Sequence, residues 1–146
     1  MAIIKDIIAD EERAFYASKN DTFVNIKITG VADGESSFKE CQDVVVQDSY
    51  FNLRYPFWHN EKVLLNNIEM TSNCRAALWY SNNITLLNSQ LDGIKVFREC
   101  QNINVKDTVI NSPEPFWFCD DIKITNGSIK GEYAFLQSSN IEIHNL

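Results

Sequence analysis

The chain repeats one pattern about every 19 residues, and this period limits the folds that it can adopt. The repeat is clearest when the sequence is aligned on seven large apolar anchors: Phe15, Phe38, Phe57, Leu78, Phe97, Phe116 and Phe135. The spacings between these anchors are 23, 19, 21, 19, 19 and 19 residues. Self-similarity at a fixed period is typical of repeat architectures, in which each unit buries its apolar face by stacking on its neighbours. We therefore expect about seven stacked units.

Further columns of the alignment repeat with the same period as the anchors. Three positions after each anchor comes a small polar or thiol residue: Ser18, Cys41, Asn60, Ser81, Cys100, Cys119 and Ser138. Two positions later the column holds Asn or Asp, with Lys62 as the exception. An alternating apolar pair follows, and then a second Asn or Asp column: Asn25, Asp48, Asn67, Asn88, Asp107, Asn126 and Asn145. This alternation between polar turns predicts short strands with one buried face.

Short strands of identical pattern predict an all-β fold, a right-handed, single-stranded parallel β-helix of about seven coils. Successive coils of such a solenoid lie about 4.8 Å apart. Because an amide side chain carries both a donor and an acceptor, equivalent Asn residues can form hydrogen-bonded ladders between coils. A propeller blade needs about 40 residues and a leucine-rich repeat needs its own Leu/Asn signature, so both fit less well. The right-handed sense rests on analogy with known β-helices.

Each end of such a rod would expose a strand edge and the cross-section of the core. Ile3, Ile4, Ile7 and Ile8 recur at helical spacing, so we predict a short amphipathic capping helix within residues 1–11; an additional strand is the alternative. The repeat domain then covers residues 12–146. At the C-terminus the pattern stops inside a coil and without a cap. We expect either a longer chain or a homo-oligomer in which this coil stacks on another subunit.

Composition and charge exclude several classes of function. The formal net charge is −7, which argues against a nucleic-acid partner because phosphate binding needs clustered Lys and Arg. No apolar run approaches the roughly 18 residues of a membrane span, and the N-terminus lacks a secretory signal, so we expect a cytoplasmic protein. The four cysteines show no zinc-binding spacing, and we expect Cys100 and Cys119 to be buried free thiols in a turn. We expect no cofactor and no metal.

One outward column carries the residues most typical of a binding site. If the anchors point inward, the residue after each anchor points outward. This column reads Tyr16, Lys39, Trp58, Trp79, Arg98, Trp117 and Leu136. We expect Trp58 and Trp79 to form a flat surface on which a sugar ring stacks, with Lys39 and Arg98 at its rim. The alternative is that like residues stack in any solenoid and that loops or a partner subunit cover them.

The next column supplies further candidates for the ligand-binding site, Tyr80 and Glu99. It also contains Glu40 and His59, the one plausible acid–base couple, although salt bridging between adjacent coils explains this pair equally well. Glu40 and Glu99 would lie about 14 Å apart. A glycosidase pair needs a separation of about 5 to 9.5 Å, so these two carboxylates cannot work together.

Two arginines form a separate candidate site for an anion. Arg54 and Arg75 each precede an anchor by three positions, so they should be neighbours in adjacent coils. Two stacked guanidinium groups need an anion, either Glu35 or Glu114 of the protein or a uronate or phosphate from outside. The pairing within the protein is the favoured interpretation.

Four strings of the chain, RYPFWHN, CRAALWYS, KVFREC and EYAFLQS, resemble the repeated blocks of a bacterial β-helix family, domain of unknown function 3737. The resemblance runs from Glu12 onward, with several blocks in the same order. It implies a right-handed β-helix broadly similar to pectin-active β-helix proteins. It implies no established activity and no accepted catalytic residues.

The leading hypothesis is a non-catalytic module that binds a saccharide or another elongated polar ligand along the outward column. The second is a structural or assembly protein whose outward column and C-terminal end are buried between subunits. The third is a polysaccharide-active enzyme.

Overall fold

The apolar pairs of successive repeats lie one above another in the computed structural model, which describes residues 1–146. Val44 is opposite Val63, and Val63 is opposite Ile84, always in parallel strands. Each coil of the chain therefore adds one strand to a growing parallel sheet. The prediction of an all-β solenoid of about seven coils is confirmed.

Eleven strands form this solenoid. They are β1 (Ile3–Ala9), β2 (Thr22–Ile28), β3 (Phe38–Lys39), β4 (Gln42–Phe51), β5 (Phe57–Trp58), β6 (Glu61–Met70), β7 (Asn82–Leu87), β8 (Gln90–Leu91), β9 (Gln101–Asn111), β10 (Asp120–Lys130) and β11 (Ser139–His144). The main sheet has the order β1-β2-β4-β6-β7-β9-β10-β11, with β8 paired to both β6 and β9. A second sheet contains only β3 and β5. No helix has the length and apolar character that crossing a membrane requires.

The anchors point into the core, as predicted. Phe38 stacks on Phe57 with ring centroids 5.1 Å apart, and Phe97 stacks on Phe116 at 4.6 Å. All four rings are fully buried, together with Leu78. Burying one such side chain stabilises a fold by roughly 1.5–3 kcal/mol. This row of rings therefore contributes strongly to the stability of the stacked coils.

Each coil turns at four corners where the backbone has a positive φ angle. In the coil of Phe57 these residues are Tyr55, His59, Lys62 and Asn67, with φ between 54° and 59°. The other six coils have positive φ at the equivalent positions. Asn and Asp tolerate this left-handed conformation better than other residues with a side chain, which explains why they fill two of the four corner columns.

The predicted amide ladders are present at these two corner columns. Asn67 donates a hydrogen bond to Asp48 at 2.7 Å, and Asn102 donates to Asn83 at 2.6 Å. Both bonds join equivalent residues of adjacent coils. The corner residues therefore serve two purposes, since they tolerate the backbone conformation and also link the coils.

The predicted N-terminal capping helix is wrong. Residues Ile3–Ala9 form β1, in which Ile4 lies opposite Phe23 and packs against the core together with Ile7. The helical spacing of these isoleucines has another cause, because Asp6 is a corner with φ of 60°. A corner between two strand segments interrupts the alternation, so residues three apart both face inward. The alternative of an additional strand is the correct one. By pairing with β2, β1 satisfies the backbone N–H and C=O groups along the edge of that strand.

Candidate functional site

The predicted outward column forms a continuous row across five coils. Lys39 is opposite Trp58 in the sheet of β3 and β5, and isolated parallel bridges connect Trp58, Trp79, Arg98 and Trp117 in turn. We call these five residues the aromatic stripe. All five are partly buried. At about 4.8 Å per coil, the stripe is about 19 Å long.

Backbone carbonyls fix the three indole rings of the aromatic stripe. The Nε1–H groups of Trp58, Trp79 and Trp117 donate to the carbonyls of Ala76 (2.7 Å), Lys95 (2.6 Å) and Tyr133 (2.6 Å), respectively. Each acceptor lies two positions before the anchor of the next coil. Every indole therefore lies across a corner of the following coil, and its N–H group is already occupied.

Both faces of the Trp79 ring are also covered. Trp58 and Trp79 stack on each other with centroids 5.3 Å apart and planes 12° from parallel. On the other side of Trp79, the guanidinium carbon of Arg98 lies 5.1 Å from the ring centroid. The expected flat stacking surface is therefore wrong in its orientation, because equivalent side chains in adjacent coils turn their faces towards each other. The accessible part of the Trp79 ring is therefore its edge.

A second row of side chains runs beside the aromatic stripe, at corners with positive φ. His59 stacks on Tyr80 with centroids 4.8 Å apart, and Tyr80 meets the ring of Trp58 edge to face at 5.5 Å. Further along, Arg98 forms an ion pair with Glu99 at 3.7 Å. The predicted ligand-binding residues Tyr80 and Glu99 thus contact members of the stripe.

The candidate acid–base couple is not joined directly. Glu40 accepts a hydrogen bond from the hydroxyl group of Tyr16, and this bond, together with the charge of Glu40, raises the pKa of Tyr16. His59 stacks on Tyr80 and makes no hydrogen bond or ion pair with Glu40. Catalysis by this couple is the weaker alternative to a non-catalytic module, and a polysaccharide product screen of Glu40→Gln and His59→Ala variants would test it.

Arg54 and Arg75 lie in adjacent coils, as predicted. Arg54 forms ion pairs with Asp33 at 3.6 Å and with Glu35 at 3.8 Å, which confirms one of the two expected partners within the protein. The other expected partner, Glu114, pairs instead with a lysine of the preceding coil at 3.5 Å. Arg75 is exposed and makes no ion pair.

Tyr55 is a neighbour of the stripe that the sequence analysis missed. Its ring centroid lies 5.0 Å from that of Trp58, and the guanidinium carbon of Arg54 lies 5.6 Å from the Tyr55 ring. Tyr55 thereby connects the arginine pair to the aromatic stripe. Its position depends on a positive φ of 54°. Tyrosine rarely adopts this conformation, so the residue type did not indicate a corner in the sequence.

The thiol and hydroxyl column after the anchors has a structural role. The thiols of Cys41 and Cys100 donate to the carbonyls of Phe15 and Leu78, the anchors of the preceding coils. All four cysteines are buried and free, which confirms the prediction for Cys100 and Cys119. Burial raises the pKa of Cys41 to about 11 and that of Cys74 to about 12. No group of three or more His, Cys, Asp or Glu is arranged to hold a metal ion.

Comparison with known proteins places the chain in a family. The family model of DUF3737, described as a protein of unknown function, matches residues 2–146, so the chain belongs to this family. No curated protein matches significantly.

Two solved structures illustrate the structural likenesses of the chain. A proposed glycosyl hydrolase from Parabacteroides merdae ATCC 43184 has 12% identity and a TM-score of 0.29, over 96% of this chain and 80% of that one. Full-length QnrB1, a plasmid-mediated fluoroquinolone resistance protein, has 8% identity and a TM-score of 0.29, over 98% of this chain and 93% of that one. Because both TM-scores are low, neither likeness supports an inference about activity.

Proposed function

We propose that this member of the DUF3737 family is a non-catalytic module that binds an elongated, carbohydrate-like ligand along the aromatic stripe. The observation that carries the proposal is the continuity of the row, since Lys39, Trp58, Trp79, Arg98 and Trp117 follow one another in adjacent coils. Solenoids commonly bind through extended surfaces of this kind. A row at constant spacing suits a ligand with repeating units better than a compact one.

The rigidity of the stripe supports the proposal. The indole N–H groups are bonded to backbone carbonyls, and Trp79 is held between Trp58 and Arg98. Ordering one flexible side chain on binding costs about 0.5–1.5 kcal/mol, and a side chain that is already fixed avoids most of this cost. The stripe is thus prepared for binding before a ligand arrives.

The chemistry of the surface favours a polyhydroxylated ligand. The edges of aromatic rings are electropositive, so the exposed edges of Trp58 and Trp79 suit oxygen atoms. Lys39 contributes donors, while the carboxylate of Glu99 contributes acceptors next to Arg98. Sugar hydroxyl groups can satisfy donors and acceptors at the same time.

Replacement of the central ring tests the proposal. We expect Trp79→Ala to weaken binding of oligosaccharides by about tenfold or more, because residues near the centre of an interface contribute most to affinity. Isothermal titration of a panel of neutral and acidic oligosaccharides would measure the effect.

The matched control is Leu87→Ala, which truncates a partly buried side chain on β7, outside the aromatic stripe. Circular dichroism would establish that both variants are folded. Equal affinities of wild type and folded Trp79→Ala for every oligosaccharide that binds would contradict the proposal, as would a panel without any binder.

Assembly is the second candidate function, and the last coil favours it. Ile141 and Ile143 are 39% and 43% exposed, whereas Ile122 and Ile124, their equivalents in β10, are each 1% exposed. A further coil, from the same polypeptide or from another copy, would cover this apolar surface. Light scattering over a wide concentration range tests the homo-oligomer: association that Ile141→Glu abolishes supports it, and a strictly monomeric protein contradicts it.

A further inference from the structure

A groove of about 550 Å³ lies next to Arg54. Tyr55 separates Arg54 from the aromatic stripe, since its ring contacts both Arg54 and Trp58. Arg54 and Arg75 line the groove, together with the polar side chains of Asn52, Ser72 and Asn73. The groove does not include any residue of the stripe. The groove is therefore a surface separate from the stripe.

The donors of the groove have unused hydrogen-bonding capacity. Arg75 makes no ion pair, and the hydroxyl group of Ser72 makes no hydrogen bond within the protein. The Nε atom of Arg54 is buried without a partner. The ion pairs of Arg54 with Asp33 and Glu35, at 3.6 and 3.8 Å, are longer than the roughly 2.7–2.9 Å of a direct charge-assisted hydrogen bond.

The backbone places the two arginines at equivalent positions of adjacent coils. The N–H group of Tyr55, the residue after Arg54, donates to the carbonyl of Arg75 at 2.9 Å, so the side chains of the two arginines start from equivalent positions around adjacent coils. The guanidinium group of Arg75 has no carboxylate partner in the protein, and an anion bound in the groove would supply one. Asn73 donates to Asn52 at 3.0 Å, which fixes the wall of the groove next to Arg75.

We propose that this groove is an oxyanion site, in which a carboxylate or phosphate group binds between Arg54 and Arg75. The hydroxyl group of Ser72 is the third donor. Asp33 lines the same groove and is the side chain that an entering anion displaces from Arg54. This site goes beyond the proposed function of the stripe, since it needs no contact with a tryptophan.

Titration followed by NMR tests the site on the intact protein. Inorganic phosphate and glucuronate are added at constant ionic strength, with glucose as the neutral comparison, and the arginine Nε–H signals are recorded. We expect saturable shifts of the Arg54 and Arg75 signals with at least one anion and none with glucose. Binding of phosphate alone assigns the site to phosphate groups, binding of glucuronate alone assigns it to carboxylates, and binding of both assigns it to oxyanions in general.

Two variants with opposite effects make the test specific. We expect Arg75→Gln to weaken anion binding about tenfold and Asp33→Asn to strengthen it severalfold, because the second change removes one of the two carboxylates that compete for Arg54. The controls are Lys106→Gln and Asp107→Asn, exposed residues of β9 that change the net charge by the same amounts.

A negative result for the anion site can be distinguished from a negative result for oligosaccharide binding by the stripe. Trp79→Ala should leave anion binding intact even where it abolishes oligosaccharide binding. The absence of saturable shifts with both anions would overturn the proposal. Equal weakening by Arg75→Gln and Lys106→Gln would overturn it as well, because it would reduce the effect to the net charge of the protein.

Discussion

At the residue scale, the corners with positive φ decide how the chain turns. Asn and Asp fill two corner columns, but the other two hold residues such as Tyr55, His59 and Phe118. A left-handed conformation costs a residue with a side chain roughly 1–2 kcal/mol. Hydrogen bonds between coils offset this cost, since the N–H of His59 donates to the carbonyl of Trp79 and equivalent bonds recur along the row. The second row beside the stripe thus depends on its neighbours for its conformation.

The amide ladder is testable at Asn67. We expect Asn67→Ala to lower the free energy of unfolding by about 1–2 kcal/mol, because it removes the bond to Asp48 and places alanine at a left-handed corner. Urea unfolding measures the change. The control is Asn104→Ala, an exposed residue of β9 without positive φ, which should have little effect. Equal losses in the two variants would contradict a role of the ladder.

The buried thiol of Cys41 predicts a loss of stability at high pH. Burial raises the pKa of Cys41 from its ordinary value of 9.0 to about 11, so the folded protein retains a proton that the unfolded chain releases in this range. The contribution of Cys41 to stability is therefore constant below pH 9 and falls as the pH rises towards 11. The loss is about 1.4 kcal/mol per pH unit for each such thiol.

Replacement of one thiol isolates this effect from other titrating groups. Serine occupies the column of Cys41 in other coils, at Ser81 and Ser138, so Cys41→Ser should fold normally. Urea unfolding at pH 8 and pH 10.5 should show a smaller loss of stability in this variant than in the wild type. An identical pH dependence of the two proteins would show that this thiol is not linked to folding.

At the element scale, the strands stack so closely that some positions exclude a side chain. Gly127 lies opposite Thr108 in the pairing of β10 with β9, and its φ of 156° is rarely adopted by other residues. A Cβ atom at this position would lie 2.2 Å from the carbonyl oxygen of Thr108. The glycine is therefore required for β10 to approach β9.

Substitution of this glycine tests the pairing of β9 with β10. We expect Gly127→Ala to destabilise the protein by roughly 1–3 kcal/mol, through backbone strain and separation of the two strands. Thermal unfolding measures the change, with Ser128→Ala on the same strand as the control. A Gly127→Ala variant as stable as the wild type would mean that the strands are not this close.

The strands and the core were largely predictable from the sequence, because both follow from the period of the anchors and from apolar alternation. The N-terminal strand was not, since the corner at Asp6 gives Ile4 and Ile7 a spacing that imitates a helix. The residues of the outward column were predictable for the same reason as the core. The orientation of their rings was not, because it depends on the carbonyl that each indole meets in the next coil.

At the scale of the whole molecule, the solenoid places equivalent positions of successive repeats next to each other on the surface. One of these surfaces carries the aromatic stripe, and the adjoining corner carries the groove of Arg54 and Arg75. Tyr55 lies between the two and contacts Trp58. The two proposals together predict that an elongated ligand with acidic groups binds to both surfaces and that a neutral one binds to the stripe alone.

The most direct test of the central claim is NMR observation of the three indole Nε1–H signals during titration with neutral and acidic oligosaccharides. The chain contains three tryptophans, all in the aromatic stripe, so these signals report on the stripe and nothing else. Their hydrogen bonds to backbone carbonyls predict slow exchange with water before any ligand is added. We expect saturable shifts of all three signals with one common affinity. Saturable binding that moves signals elsewhere and leaves the three indoles unchanged would contradict this expectation.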